Sequence, residues 1–138
     1  MQYFFKFFIL IWIATSLSCL WSLDSGIYRE YYKNGKLKYA ITYEAGVKNG
    51  LAKAFHRNGA VKAEWTFKNN VIDGPYKYFF KSGELRFEFN FNNGKKDGIQ
   101  KAFRKNGETY YEDVYKNGKH LTRRFYEDNV MVVEKNIR

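Results

Sequence analysis

The chain of 138 residues contains one cysteine, one proline and two histidines. With Cys19 alone, no intramolecular disulfide can form, and neither a cysteine redox pair nor a cysteine-based zinc framework can be assembled. The scaffold must hold by packing and hydrogen bonding. His56 and His120 stand at unrelated places, with no Ser/His/Asp or Cys/His arrangement and no ligand spacing around them. They read as surface residues; no catalytic residue, metal or cofactor is expected, and the chain is not expected to be an enzyme. Proline occurs once against 12 Tyr and 13 Phe, a composition that speaks for β-structure and against disorder. Acidic residues are the minority, 14 against 24 Lys plus Arg, so the formal charge of +10 draws the molecule towards anionic surfaces. That charge governs encounter and not specificity.

One long apolar run is present, YFFKFFILIWIATSLSCLWSL from Tyr3 to Leu23, with Lys6 near its start and small residues towards its end. A basic start, an apolar middle and small residues form the order of an export signal. Because Cys19 follows Thr15, Ser16, Leu17 and Ser18, the segment resembles a bacterial lipoprotein signal, in which Cys19 would become the lipidated first residue. Three fates stay open: lipidation at Cys19, an uncleaved anchor helix, or plain cleavage near Ser18 and secretion. Residues 1–18 are thus read as the signal and 19–25 as a linker, leaving about 110 residues for one modest domain.

That domain is repetitive. Gly26, Gly50, Gly74 and Gly98 lie 24 apart, and Gly35, Gly59, Gly83 and Gly107 keep the same interval without an insertion. An aromatic residue stands four before each glycine of the second set (Tyr31, Phe55, Phe79, Phe103) and another eight after it (Tyr43, Phe67, Phe91, Tyr115). Each unit reads as a β-hairpin around Lys33-Asn34-Gly35, Arg57-Asn58-Gly59, Lys81-Ser82-Gly83 or Lys105-Asn106-Gly107, where Asn and Gly are expected to supply positive φ. The second strands alternate, as in Leu37, Tyr39, Ile41 and Tyr43, which marks one buried face. The aromatic stripe is read as core. Thr109 and Asp113 break the pattern in the fourth unit, so its face is expected to be weaker.

Loop length decides which residues oppose one another, since a slip of one residue reverses every side chain. A two-residue turn sets Lys53 across from Glu64, Lys77 from Glu88 and Lys101 from Glu112. A three-residue turn with a left-handed glycine bulge sets Phe55 across from Val61 and Phe79 from Leu85, leaving the charged pairs diagonal. The latter is preferred, because apolar burial at about 25 cal/mol per Å² outweighs exposed ion pairs worth under about 1 kcal/mol. Four such units, 26–121, stack into an elongated single-layer antiparallel sheet about 40 Å long, an all-β fold following an N-terminal signal or anchor helix. Residues 122–138 read as a degenerate fifth hairpin that caps the edge, with Asp128, Glu134 and Lys135 discouraging pairing.

The pattern G-x-x-K-x-F-x-x-N-G, with an aromatic eight residues later and G or N three beyond, runs from Gly50 to Asn70 and from Gly98 to Gly118. It resembles the MORN-repeat variant of bacteria, a group that includes proteins labelled YwqK-type antitoxins. The resemblance implies an elongated sheet acting as a scaffold or as a lipid- or protein-binding surface. Ala52 and Gln100 depart from it, standing where an aromatic such as Tyr28 or Tyr76 is usual.

Arg29, Lys53, Lys77 and Lys101 recur once per unit and form a candidate anion-binding ladder with a rise of about 10 Å. Lys38, Lys62 and Arg86 form a second ladder, alternating along the strand with Glu64 and Glu88, which reads as solubility. The expected role is a non-enzymatic, membrane-tethered scaffold that engages another protein at the bacterial cell envelope. Binding of anionic lipid or glycan through the basic ladders is the alternative. An antitoxin role would place the chain in the cytoplasm, against the export signal, and nucleic acid is not the expected partner, since no exposed aromatics interleave an unbroken basic groove.

Overall fold

The structure is a computed structural model that describes residues 25–137. The signal, the candidate lipidation site Cys19 and residues 19–24 of the linker lie outside the described residues, as does Arg138. The described chain is all strand and turn: β1 (Gly26–Tyr31), β2 (Leu37–Glu44), β3 (Val47–Phe55), β4 (Val61–Lys68), β5 (Val71–Phe79), β6 (Leu85–Asn92), β7 (Lys95–Lys96), β8 (Gly98–Phe103), β9 (Thr109–Lys116), β10 (Lys119–Glu127) and β11 (Val130–Asn136). They form one antiparallel sheet in chain order, β7 being a short piece that pairs with β6 ahead of β8. No helix among the described residues is long and apolar enough to cross a membrane.

Two kinds of turn alternate. Within a unit the loop has three residues: in the first, Gly35 donates its N–H to the Tyr32 carbonyl and Tyr32 donates to that of Lys36. Only the glycine has positive φ, +77° at Gly35, +96° at Gly59, +107° at Gly83 and +89° at Gly107. The asparagines do something else, contrary to expectation: the Oδ1 of Asn34, Asn58 and Asn106 accepts the N–H two residues on, at 3.2, 3.1 and 3.1 Å. Between units the loop has two residues, both with positive φ: Ala45-Gly46, Asn69-Asn70, Asn93-Gly94 and Asn117-Gly118. That conformation matches the twist of the flanking strands.

The three-residue turn sets Phe55 opposite Val61 and Phe79 opposite Leu85, as the burial argument requires. The charged pairs are nevertheless not diagonal. Lys53 lies directly opposite Glu64, Lys77 opposite Glu88 and Lys101 opposite Glu112. Both pairings coexist because the register shifts just past the turn, between Ala54 and Phe55 and at the equivalent place in every hairpin. There the second strand carries one extra residue, a β-bulge at Lys38, Lys62, Arg86, Tyr110 or Val132.

Among the described residues no second layer covers the sheet. The buried apolar side chains are four alanines, Ala52, Ala54, Ala63 and Ala102, screened by larger neighbours. The aromatic stripe read as core is instead half-buried, its rings covering the alanines and one another. At the end of the array β10 and β11 do form a fifth hairpin, but every residue of β11 is exposed, so the edge is extended and not shielded.

Candidate binding surface

Cross-strand pairing sorts the side chains into two faces. The first carries continuous rows from strand to strand. One runs Glu30, Tyr39, Ala54, Ala63, Tyr78, Phe87, Ala102, Tyr111, Phe125, Val133; another runs Tyr28, Ile41, Ala52, Trp65, Tyr76, Phe89. Adjacent rings interlock: Trp65 stacks on Tyr76 at 5.4 Å and 21°, and Phe87 on Phe89 at 5.6 Å and 13°. Burial among these rings pushes the Tyr76 phenol above its ordinary pKa. At the centre they line an open concavity of about 380 Å³, between Tyr76, Tyr78, Phe87, Phe89 and Phe91.

The bulges deliver cations to this face. Lys38 lies over Tyr39, Lys62 over Tyr78 and Arg86 over Phe87, with centroid distances of 5.2, 6.0 and 5.1 Å. The second basic ladder is therefore on the opposite face from Glu64 and Glu88 and does not alternate with them. Lys96 sits between Phe89 and Tyr115, 4.9 and 5.0 Å from their centroids. Among the described residues Lys62, Arg86 and Lys96 have no salt-bridge partner.

The second face places the anion-binding candidates in a different setting. Its central row reads Arg29, Ala40, Lys53, Glu64, Lys77, Glu88, Lys101, Glu112, Arg124, Glu134, alternating in sign from the third strand onward. Lys53 is 2.7 Å from Glu64, Lys77 3.9 Å from Glu88 and Lys101 3.1 Å from Glu112. Glutamates thus interleave the lysines and largely cancel their field, whereas Arg29 at the edge faces Ala40. Such half-exposed pairs contribute under about 1 kcal/mol each and mainly hold register.

In the fourth unit a polar network replaces rings. Gln100, only 2% exposed, accepts the Asn90 N–H at 2.8 Å and donates to the Asn90 carbonyl at 3.1 Å, bridging the strands where β7 and β8 are interrupted. Opposite it, Asp113 receives Arg123 in a two-pronged pair at 2.6 and 2.7 Å and His120 at 2.8 Å. His120 also stacks on Tyr115, 4.7 Å between centroids. His56 Nε2 meets the Phe79 carbonyl of the next unit at 3.2 Å, in the same place where the Tyr32 hydroxyl donates to the Phe55 carbonyl. Both histidines are half-buried structural groups, not free surface residues.

A further repeat position went unread. Ser25, Asn49, Asp73 and Asp97 each accept the N–H of the residue 20 positions on, Ala45, Asn69, Asn93 and Asn117. A small polar acceptor directly before every first-set glycine was the available signal. Among the described residues no group of His, Cys, Asp or Glu is placed to hold a metal.

Among the described residues the chain is an open antiparallel sheet of tandem hairpins with one aromatic face, which puts it in the class of repeat proteins. Three of its units, residues 25–45, 48–69 and 72–93, match the family described as MORN repeat variant. MORN repeats generally serve as protein- or membrane-binding scaffolds, and the family is typically non-enzymatic. Antiparallel pairing in chain order continues through the fourth and fifth hairpins, beyond the matched residues. No curated protein matches the chain.

Proposed function

We propose that this chain is a non-enzymatic scaffold, tethered to the bacterial envelope membrane by its N-terminal segment, that holds another protein on its aromatic face. The observation that carries the reading is the row of half-buried rings from Tyr39 to Phe125, interrupted only by alanines and uncovered among the described residues. Contiguous exposed aromatic area of this kind marks an interaction surface, and the planar rings present large contact at little entropic cost. Lys62, Arg86 and Lys96 at its margin select a partner whose apolar patch is ringed by carboxylates. The lysine–glutamate row on the other face offers no comparable field, so anionic lipid or glycan is the weaker reading. An antitoxin role is weaker again, since it requires a cytoplasmic chain.

Co-purification from bacterial membranes tests this with three full-length chains. A partner recovered with the wild type should survive Lys77→Ser/Glu88→Ser on the charged face and be lost with Tyr76→Ser/Phe89→Ser, circular dichroism confirming that both variants keep strand structure. Loss through the charged-face pair alone would overturn the assignment.

A further inference from the structure

We infer that the two ends of the sheet are complementary and that copies of this chain join head to tail, β11 of one beside β1 of the next. The inference uses the sheet edges and does not rest on the aromatic-face reading. Among the described residues each end strand has a neighbour on one side only. Seven of the twelve exposed large hydrophobic side chains lie on them: Ile27, Tyr28 and Tyr31 on β1, and Val130, Met131, Val132 and Val133 on β11. A long apolar edge of this kind is a template for pairing unless charge, proline or a covering element blunts it. Among the described residues none covers β11.

Three features make the occupant a second copy rather than an arbitrary strand. Direction fits without adjustment, because ten strands lie in antiparallel order along the path, so β1 of a following copy is antiparallel to β11. Register fits too. Inside the array every second strand meets the next unit as Tyr39↔Ala54, Ala40↔Lys53 and Ile41↔Ala52. The equivalent residues at the junction are Val133 with Glu30, Glu134 with Arg29 and Lys135 with Tyr28. Charge then completes the match. The central row ends on Glu134, which pairs with Arg124 at 2.8 Å, and begins on Arg29, the one basic member of the row with no carboxylate within salt-bridge distance among the described residues. Apposing the ends continues the alternation and supplies that carboxylate. The contact joins unlike surfaces, so it propagates as an open row instead of closing as a dimer.

Directly opposed strand residues are close enough for a disulfide, whereas residues two positions off are not. The full chain in nonionic detergent, with Cys19→Ser, Arg29→Cys and Glu134→Cys, should give a ladder of covalent dimers, trimers and larger species on mild oxidation. The off-register pair Arg29→Cys with Val132→Cys should give at least tenfold less. Sedimentation of the otherwise unaltered chain should show mass rising with concentration, and Arg29→Glu should shift that rise at least tenfold upward in concentration. A chain that sediments as a monomer throughout, with equal cross-linking from both cysteine pairs, overturns the inference.

Discussion

Asp113 concentrates more opposing forces than any other carboxylate described. Burial acts to raise its pKa, but the two hydrogen bonds and the charge of Arg123, with His120, outweigh that and hold it below the ordinary carboxylate value. A carboxylate with a depressed folded pKa stabilises the fold above its unfolded pKa, about 4, and that contribution is lost as the pH falls through the lower folded value. Asp113→Asn should therefore cost about 1–3 kcal/mol at pH 7 and a smaller amount at about pH 2, read from urea unfolding at both values. From the sequence, Asp113 and Thr109 in place of apolar residues were visible as a weak face. The network was not, because Gln100 lies on β8, Asp113 on β9 and both His120 and Arg123 on β10, and only the register brings Arg123 opposite Asp113. Gln100 likewise stood out as a departure, but its cause is the strand break at Asp97, which leaves no mark in hydrophobic spacing.

Hairpins and their order follow from the two glycine series, since aromatic runs on either side of Asn-Gly admit little else. The bulge does not follow. One extra residue beside each turn keeps the 24-residue interval intact, so Lys62 between Val61 and Ala63 reads as ordinary alternation while the fold turns it onto the aromatic face. The two-residue turns between units are equally decisive for assembly, and Gly94 is tighter than Gly118. Its φ is +76°, and a Cβ there would lie 2.9 Å from Val71 Cγ1, whereas at Gly118, φ +84°, the nearest atom is 3.7 Å away. Gly94→Ala should destabilise by about 2–3 kcal/mol and Gly118→Ala by about 1 kcal/mol, the shared part being backbone strain. Equal losses in thermal or urea unfolding would mean that the Val71 contact relaxes freely.

As a whole the described chain, residues 25–137, is one layer, and that shapes what it can do. Its described strands, each paired in turn with the next, place the rings on one face and the cancelling charges on the other. A single-layer array depends on nearest-neighbour contacts for stability and leaves broad surface for partners. The sequence disclosed the array and its stripe, while the stripe's openness became visible only once the strands were seen to lie in one sheet. The central claim is that this stripe is the working surface. A photo-reactive phenylalanine analogue placed singly at Phe89 on the aromatic face, or at Ile99 on the other, and activated in living bacteria, tests it directly. The account predicts a discrete protein adduct from position 89 and little from position 99. Adducts from position 99 alone, or only phospholipid adducts from position 89, would contradict it.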